Sequence, residues 1–390
     1  MLKSKSLKDI ITKKSRLIIG LNSGTSADGI DAAIVGIRNC GFDSKAKFIA
    51  GHTYKFSSKL QAEIKKNAEP TFKDGESWLR LDIKLAGEFS KAALKIFRRA
   101  GINPERIDVI GSHGQTIRHL PLSKGDSITY QLADPARIAA VTGITTVGDF
   151  RVADIGTGGE GAPLTPIVNA ILFGKSGTNI GVLNIGGISN ISEIKSVRGK
   201  YQLFGCDTGP GNMLVDYLSQ KLFKLNYDKS GKLALKGKAN IAIVKKLLSN
   251  KYFKLKGPKS TGRERFNRAF CESFLTRCRK YRLSKHDIMA TAVELTCAAV
   301  RQCSDINKLD FNSVILTGGG SLNQAMRKRL IELFPNVEIK RTGDYGFPEQ
   351  YLEAVSFAIL ANECLCSNRY ELKNVTGARK PIVLGKICQA

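Results

Sequence analysis

Four acids of this 390-residue chain stand beside short runs of small residues: Asp28, Asp31, Asp207 and Glu353. A tight turn of Gly, Ser and Thr exposes backbone N–H groups, and such concavities bind anions, phosphate above all. A carboxylate beside one has two uses. It can hold a cation that offsets phosphate charge, or it can take a proton from an attacking nucleophile within hydrogen-bond reach. The first turn lies in Ser23-Gly-Thr-Ser-Ala-Asp-Gly-Ile-Asp31. It makes Gly24, Thr25, Ser26, Ala27, Asp28, Gly29, Ile30 and Asp31 candidates for binding a nucleotide phosphate. The second, Asn184-Ile-Gly-Gly187, offers Gly186 and Gly187. A third, Gly318-Gly319-Gly320, precedes a predicted helix, whose N-terminus attracts anions or lets a nucleotide lie close to the backbone. None has the P-loop spacing or a dinucleotide fingerprint.

Asp207 sits in Gly205-Cys-Asp-Thr-Gly-Pro-Gly-Asn212, which reads as a loop that its glycines and proline constrain. Two roles are open for it, general base or N-cap of the following helix. His113 and Gln115, in Ser112-His-Gly-Gln-Thr116, read as a loop after a short buried strand. They are candidate substrate ligands, and His113 reads equally well as a satisfied buried histidine. Arg151 either meets a substrate or pairs with Asp154.

The elements that must carry these residues repeat. Leu17-Ile-Ile-Gly-Leu21 is an apolar strand, followed by Asn22, the first turn and a second strand through Ile37. Gly181-Val-Leu-Asn-Ile185 begins the same device, with Asn184 aligned to Asn22 and Gly186 to Gly24. A third strand is expected over 47–56. An amphipathic helix is expected over 79–100, with Leu81, Leu85, Phe89, Ala92, Ala93 and Ile96 on one face. Short strands are expected at 107–111 and 144–147, and a helix over 136–142 capped by Asp134. In the second half, a strand near 201–204, helices over 213–221, 294–303 and 322–333, and a buried strand at 314–317 complete the pattern. Alternating strands and helices with Gly-rich corners indicate α/β architecture. The repeat indicates two duplicated lobes, 1–178 and 179–390, with an active-site cleft between them.

The formal net charge is +27, with Lys and Arg spread throughout. Such a balance speaks to solubility and to affinity for anions. No zinc finger or aromatic RNA-binding signature accompanies it, so no nucleic-acid partner is expected. Nine cysteines without a C-x-x-C pair suit reduced thiols in a cytoplasmic protein. The apolar run at 17–21 is too short for a signal segment, and no stretch reaches the length of a membrane span.

The turns in two lobes, with the late Gly-Gly-Gly loop, resemble the sugar kinase, Hsp70 and actin superfamily. Within it the chain resembles the anhydro-N-acetylmuramic acid kinases. The matching blocks are the two hairpin turns, Ser112-His-Gly-Gln-Thr116, Asp149-Phe-Arg151 with Gly161-Ala-Pro-Leu164, Asp207-Thr-Gly-Pro-Gly-Asn212, Tyr227-Asp-Lys-Ser-Gly231, Pro258-Lys-Ser-Thr-Gly-Arg-Glu264, and Glu353 with Phe357-Ala358. The resemblance implies an actin-like ATPase fold, ATP and Mg²⁺ as cofactors, and a homodimer. It implies that Asp207 deprotonates a water attacking C1 of a 1,6-anhydro sugar while O6 receives the phosphoryl group. It also puts Asp28 near the metal, and Arg151 and Glu353 near the sugar. At position 22 the bacterial pattern has Met, and Asn22 here is similar to the levoglucosan kinases of the same family. Glu160 replaces a common Gln. The C-terminal Val375-Thr-Gly-Ala-Arg379 is more similar to the muramate enzymes.

Overall fold

In this computed structural model the described residues are 4–24, 26–121, 127–197, 200–257, 259, 261 and 265–390. Thr25 and most of the 258–264 block lie outside them. Twelve strands form among the described residues: β1 (Ser15–Ser23), β2 (Gly29–Arg38), β3 (Lys45–Lys55), β4 (Val109–Leu120), β5 (Ile128–Leu132), β6 (Thr146–Gly148), β7 (Asn179–Ile185), β8 (Ile188–Val197), β9 (Lys200–Pro210), β10 (Ser313–Thr317), β11 (Glu338–Arg341) and β12 (Lys386–Cys388). The first sheet runs β12-β6-β4-β1-β2-β3, with β5 on β4; the second runs β11-β10-β7-β8-β9. In each, a three-stranded antiparallel meander continues through parallel strands, β4 and β6 in one, β10 and β11 in the other. The internal repeat read from the sequence is therefore a repeat of topology.

The first sheet buries Ile19, Leu21, Ile30 and Ile34 against Leu81, Leu85, Phe89 and Ile96 of the helix Gly75–Arg99. Each fully buried Leu, Ile or Phe contributes about 1.5–3 kcal/mol of transfer free energy. The helix begins earlier than its apolar face suggests, because the Asp74 side chain accepts from the Ser77 amide and caps it. The second sheet has its own core, in which Leu183, Ile185 and Leu316 meet Leu214 and Leu218 of the helix Asn212–Phe223 and Leu295 of the helix Lys285–Asn307.

The chain divides into two compact units, one of 1–172 with 346–390 and one of Phe173–Tyr345. The expected two-way split at 178 thus misplaces the C-terminal stretch. Its helix Leu352–Leu365 lies on the first sheet so closely that a Cβ on Gly20 would stand 1.8 Å from Ala354 O, and one on Gly111 2.2 Å from Phe357 O. β12 then joins the edge of that sheet through β6. Two segments read as loops are strand: Ser112-His-Gly-Gln-Thr116 lies within β4, and Asp207 lies within β9.

Candidate active site

At the turn end of the first meander, three polar residues form one cross-strand row. Asn22 on β1 faces Asp31 on β2, and Asp31 faces Thr53 on β3. Directly opposed residues share a sheet face with Cβ atoms about 4.5–5.5 Å apart. Thr53 Oγ1 donates to Asp31 Oδ1 at 2.5 Å, and Gln350 Nε2 donates to Thr53 Oγ1 at 3.0 Å. Asn22 Nδ2 donates to Glu353 Oε2 at 2.5 Å, Glu353 lying in the first turn of Leu352–Leu365. Burial pushes the Asp31 carboxyl above its ordinary range, partly offset by the Thr53 bond. Glu353 reaches solvent, yet crowding raises its carboxyl too, and the negative charge of Asp31 adds to the rise.

On the other side of β1, the parallel pairing with β4 slips by one residue. Leu21 pairs with Ser112 and Ser23 with Gln115, so His113 and Gly114 together oppose Asn22. Gly114 takes φ +72°, and a Cβ there would stand 2.1 Å from Leu132 O, so only glycine fits. Bulges re-aim side chains, and this one turns His113 toward Arg151. Arg151 Nε–H can only donate, so His113 Nε2, at 3.0 Å, carries the lone pair. The ring proton then sits on Nδ1, which gives it to Gly114 O at 3.2 Å. Burial, then the positive charge of Arg151, holds the His113 pKa well below 6.5, so it is neutral at physiological pH. With 7% of its surface exposed and both nitrogens engaged, His113 fits its structural reading.

Arg151 does not take Asp154 as its hydrogen-bond partner. Its Nη1 donates to Gly161 O at 3.0 Å, and burial lowers the guanidinium to about 10, which leaves it charged. Asp154 accepts instead from Gly161 N and Thr376 Oγ1, each at 2.7 Å, bracing the Gly-rich loop. A Cβ on Gly159 would lie 2.2 Å from its Oδ2, which explains that glycine. Glu160, the extra acid, has its carboxyl raised by burial and by Asp154.

The first turn closes through Ala27 N to Gly24 O at 3.0 Å, with Ala27 buried at φ +54°. Gln115 braces it from below. Its Oε1 accepts from Ser23 Oγ at 2.6 Å and its Nε2 donates to Gly24 O at 3.2 Å, with 1% of the residue exposed. Gln115 is thus a support of the turn. Gly24, Ser26 and Asp28 are exposed, and Asp28 Oδ1 accepts from Gln61 Nε2 at 2.7 Å. Gly29 is spoken for by packing, since a Cβ there would stand 2.5 Å from Tyr54 O, and Ile30 is core.

In the second unit the row reads Asn184 on β7, Asn190 on β8 and Asp207 on β9. The register shifts between Ser189 and Asn190, so that Thr208 is the extra residue beside Asp207, its Oγ1 2.6 Å from Ser189 Oγ. Asp207 Oδ2 accepts from Thr261 N at 2.8 Å, Asp207 N donates to Lys259 O at 2.9 Å, and Tyr252 Oη donates to Asp207 O at 3.0 Å. The N-cap role is taken away: the following helix starts at Asn212 with Gly211 as its cap and no side-chain bond.

The second and third turns differ in what their glycines are for. Gly186 O and Gly187 O accept the amides of Asn212, Gly211 and Met213. Yet side chains at 186 and 187 would meet nothing nearer than 3.5 Å and 3.9 Å. At Gly24 nothing lies within 4 Å. Protein packing does not demand glycine at these three places, and an approaching ligand would. Gly318, by contrast, has φ +73° and Asn184 Oδ1 2.5 Å from its would-be Cβ, and Gly320 would strike Ile185 Cγ2 at 2.3 Å. Only Gly319, 3.4 Å from Asn212 Nδ2, is comparatively open. Among the described residues no group of three or more His, Cys, Asp and Glu could cage a metal ion, and no helix is long and apolar enough to cross a membrane.

Sequence reasoning passed over Thr53, Gln61 and Tyr252 and met Thr261 only inside the matching block 258–264. The signal for Thr53 was present: extending the hairpin register to β3 puts it opposite Asp31. The other three come from helices and segments whose approach no local pattern announces.

Two sheets of one strand order, each ending in a small-residue turn beside a polar row, give the chain a repeated α/β architecture. Residues 16–390 match the family model described as anhydro-N-acetylmuramic acid kinase. A protein of that name from Caldanaerobacter subterraneus subsp. tengcongensis is 37% identical over 390 residues, covering 97% of this chain and 98% of that one. Another, from Clostridioides difficile, is 37% identical over 375 residues, covering 95% and 97%. The chain belongs to the anhydro-N-acetylmuramic acid kinase family, phosphotransferases whose acceptor is an alcohol group.

Proposed function

We propose that this chain uses ATP and magnesium to open the bridge of 1,6-anhydro-N-acetylmuramic acid with water and to phosphorylate O6. The product is N-acetylmuramic acid 6-phosphate, an intermediate of peptidoglycan recycling. The observation that carries the reading is the family match over residues 16–390. Asp207 is the base. It takes a proton from the water whose oxygen bonds to C1. The C1–O6 bond breaks, its electron pair goes to O6, and O6 displaces ADP from the γ-phosphorus. A positioned base of this kind contributes roughly 10²–10⁴-fold.

Glu353 accepts from sugar hydroxyls with one oxygen held by Asn22, and Arg151 donates to them with its far edge pinned by His113 and Gly161. Gly24, Gly186 and Gly187 let phosphates approach the backbone, which is consistent with glycine where packing does not require it. Asp28 would hold the magnesium. One exposed carboxylate, with no caging cluster among the described residues, suits an ion that keeps several waters and binds largely through phosphates. When bound, the ion offsets the charge on the phosphate oxygens. The enzyme works in the cytoplasm, where ATP is at hand, and as a homodimer.

The test is a product assay in ¹⁸O-water with 1,6-anhydro-N-acetylmuramic acid, ATP and Mg²⁺. The expected products are ADP and a 6-phosphate labelled at C1. Levoglucosan phosphorylated in place of the muramate sugar would overturn the substrate and leave the family standing. Label in the phosphate would overturn the order of bonds.

A further inference from the structure

We propose that Tyr252 is a positioning residue for Asp207, an inference that rests on the reading of Asp207 as base. β9 is the outer strand of its sheet among the described residues. The outward N–H and C=O groups of an edge strand need partners from elsewhere. At Asp207 both outward groups are met from one stretch of chain: Lys259 O takes the N–H, and Tyr252 Oη gives its proton to the C=O. The same stretch supplies the Thr261 amide to Oδ2. Cys206 Sγ lies 3.7 Å from the same carbonyl and is a much weaker donor. The peptide of the base is thus tied by a phenol at the place where a bulge gives it latitude to turn.

The phenol is itself immobilised. Tyr252 is 4% exposed and packs edge-on against Phe253 and Phe266, with centroids 5.3 and 5.4 Å away. Two cations stand over its ring, Lys259 Nζ at 4.5 Å and the Arg265 guanidinium at 4.8 Å. Lys259 Nζ also donates to Tyr252 O at 2.9 Å and Leu255 O at 3.2 Å, which closes the stretch on itself. A ring held on several sides fixes its hydroxyl, and the hydroxyl fixes the direction in which Asp207 leaves the strand. Because the carboxylate sits only one side chain beyond that peptide, a small rotation there moves it away from a water at C1. Sub-ångström placement of this kind affects the rate of the chemical step more than it affects binding.

The test uses the full chain with its anhydro sugar and ATP. Tyr252→Phe removes the hydroxyl and keeps the ring. It is expected to lower kcat roughly tenfold, with KM for sugar and for ATP each within about twofold of wild type. In an Asp207→Asn background the same change is expected to slow the residual rate no further. Lys259→Met spares the hydroxyl and loosens the ring, and is expected to give a smaller loss of the same kind, in kcat alone. Comparisons are made at a temperature where circular dichroism shows all variants folded. Wild-type kcat in Tyr252→Phe, a loss carried by KM, or an undiminished loss on the Asp207→Asn background overturns the proposal. Wild-type turnover in Asp207→Asn overturns the base reading itself and takes the proposal with it.

Discussion

In the first unit the row at the hairpin end reads Asn22, Asp31, Thr53; in the second it reads Asn184, Asn190, Asp207. Two sheets of the same strand order keep the amide on the first strand and move the acid from the middle strand to the outer one. The consequence is a change of company. Asp31 is flanked on both sides by strands, and its carboxyl accepts a hydrogen bond from the Thr53 hydroxyl. Asp207 stands on an edge, where a stretch from outside the sheet holds its peptide and one carboxylate oxygen through backbone and phenol donors. The turn before it is shorter, and its carbonyls are occupied by the start of a helix. Duplication supplied two equivalent places, and the acid proposed as the base stands on the outer strand of the second.

The largest effect expected from breaking this difference is at Asp207. Asp207→Asn makes the second row three amides, keeps an oxygen for the Thr261 N–H, and removes the carboxylate proposed as the base. Turnover should fall by about 10²–10⁴, while ADP affinity by calorimetry stays at the wild-type value. A variant that turns over at the wild-type rate would show that the row's composition is structural.

The glycines sharpen the comparison next. Gly20→Ala forces a Cβ to within 1.8 Å of Ala354 O, and overpacking of that kind should cost about 3 kcal/mol or more of unfolding free energy. Gly187→Ala puts its Cβ no nearer than 3.9 Å to Met213 Cβ, so stability should change by about 1 kcal/mol or less. Its effect should appear instead as a raised KM for ATP. Chemical denaturation and steady-state kinetics on the pair separate glycines needed by packing from glycines kept for a ligand. Equal loss of stability in the two variants would remove that distinction.

A third test concerns His113 and Arg151. His113→Phe keeps the ring against Phe357, 4.4 Å away, and removes the acceptor for Arg151 Nε. KM for the sugar should rise several-fold with ATP KM unchanged, and the effect should vanish when Arg151 is already Ala, since residues acting as one unit are not additive. Additive losses would mean that His113 meets the sugar itself.

Much of this was legible in the sequence, and the parts that were not have physical causes. The hairpins, the long amphipathic helix and the repeat follow from apolar periodicity and turn residues, which are local. Ser112-His-Gly-Gln-Thr116 and the Asp207 stretch were misread as loops because strands rarely hold so many small polar residues. Each is a bulged strand whose glycine or edge position makes that composition tolerable. The return of 346–390 to the first unit was invisible because Leu352–Leu365 is apolar nearly all round, so its sequence does not say which sheet it covers. The clue lay elsewhere in the chain, at Gly20 and Gly111, whose missing side chains make room for it. Asp154 looked like a partner for Arg151 by proximity in sequence, but the Gly-rich loop and Thr376 use both of its oxygens.

The smallest expected effect tests the first row by its charge. Burial raises the Asp31 carboxyl, the Thr53 bond opposes it, and the net direction is upward. A carboxyl whose folded value lies above its unfolded value of about 3.9 favours the fold while protonated. That contribution is fully present below the unfolded value and is lost as pH rises through the folded one. At neutral pH Asp31 therefore works against stability. Asp31→Asn keeps an oxygen for Thr53 Oγ1 and cannot ionise. Its thermal midpoint should exceed wild type at pH 7, and the two curves should converge below about pH 4. The same change removes the negative charge that helps to raise Glu353, so the Glu353 carboxyl should titrate lower in the variant, by NMR. A wild type more stable than Asp31→Asn at pH 7 would mean that Asp31 is held as an ion by a cation of its own. The first row would then be a charged site like the second, and the asymmetry between the units would lie only in which strand bears the acid.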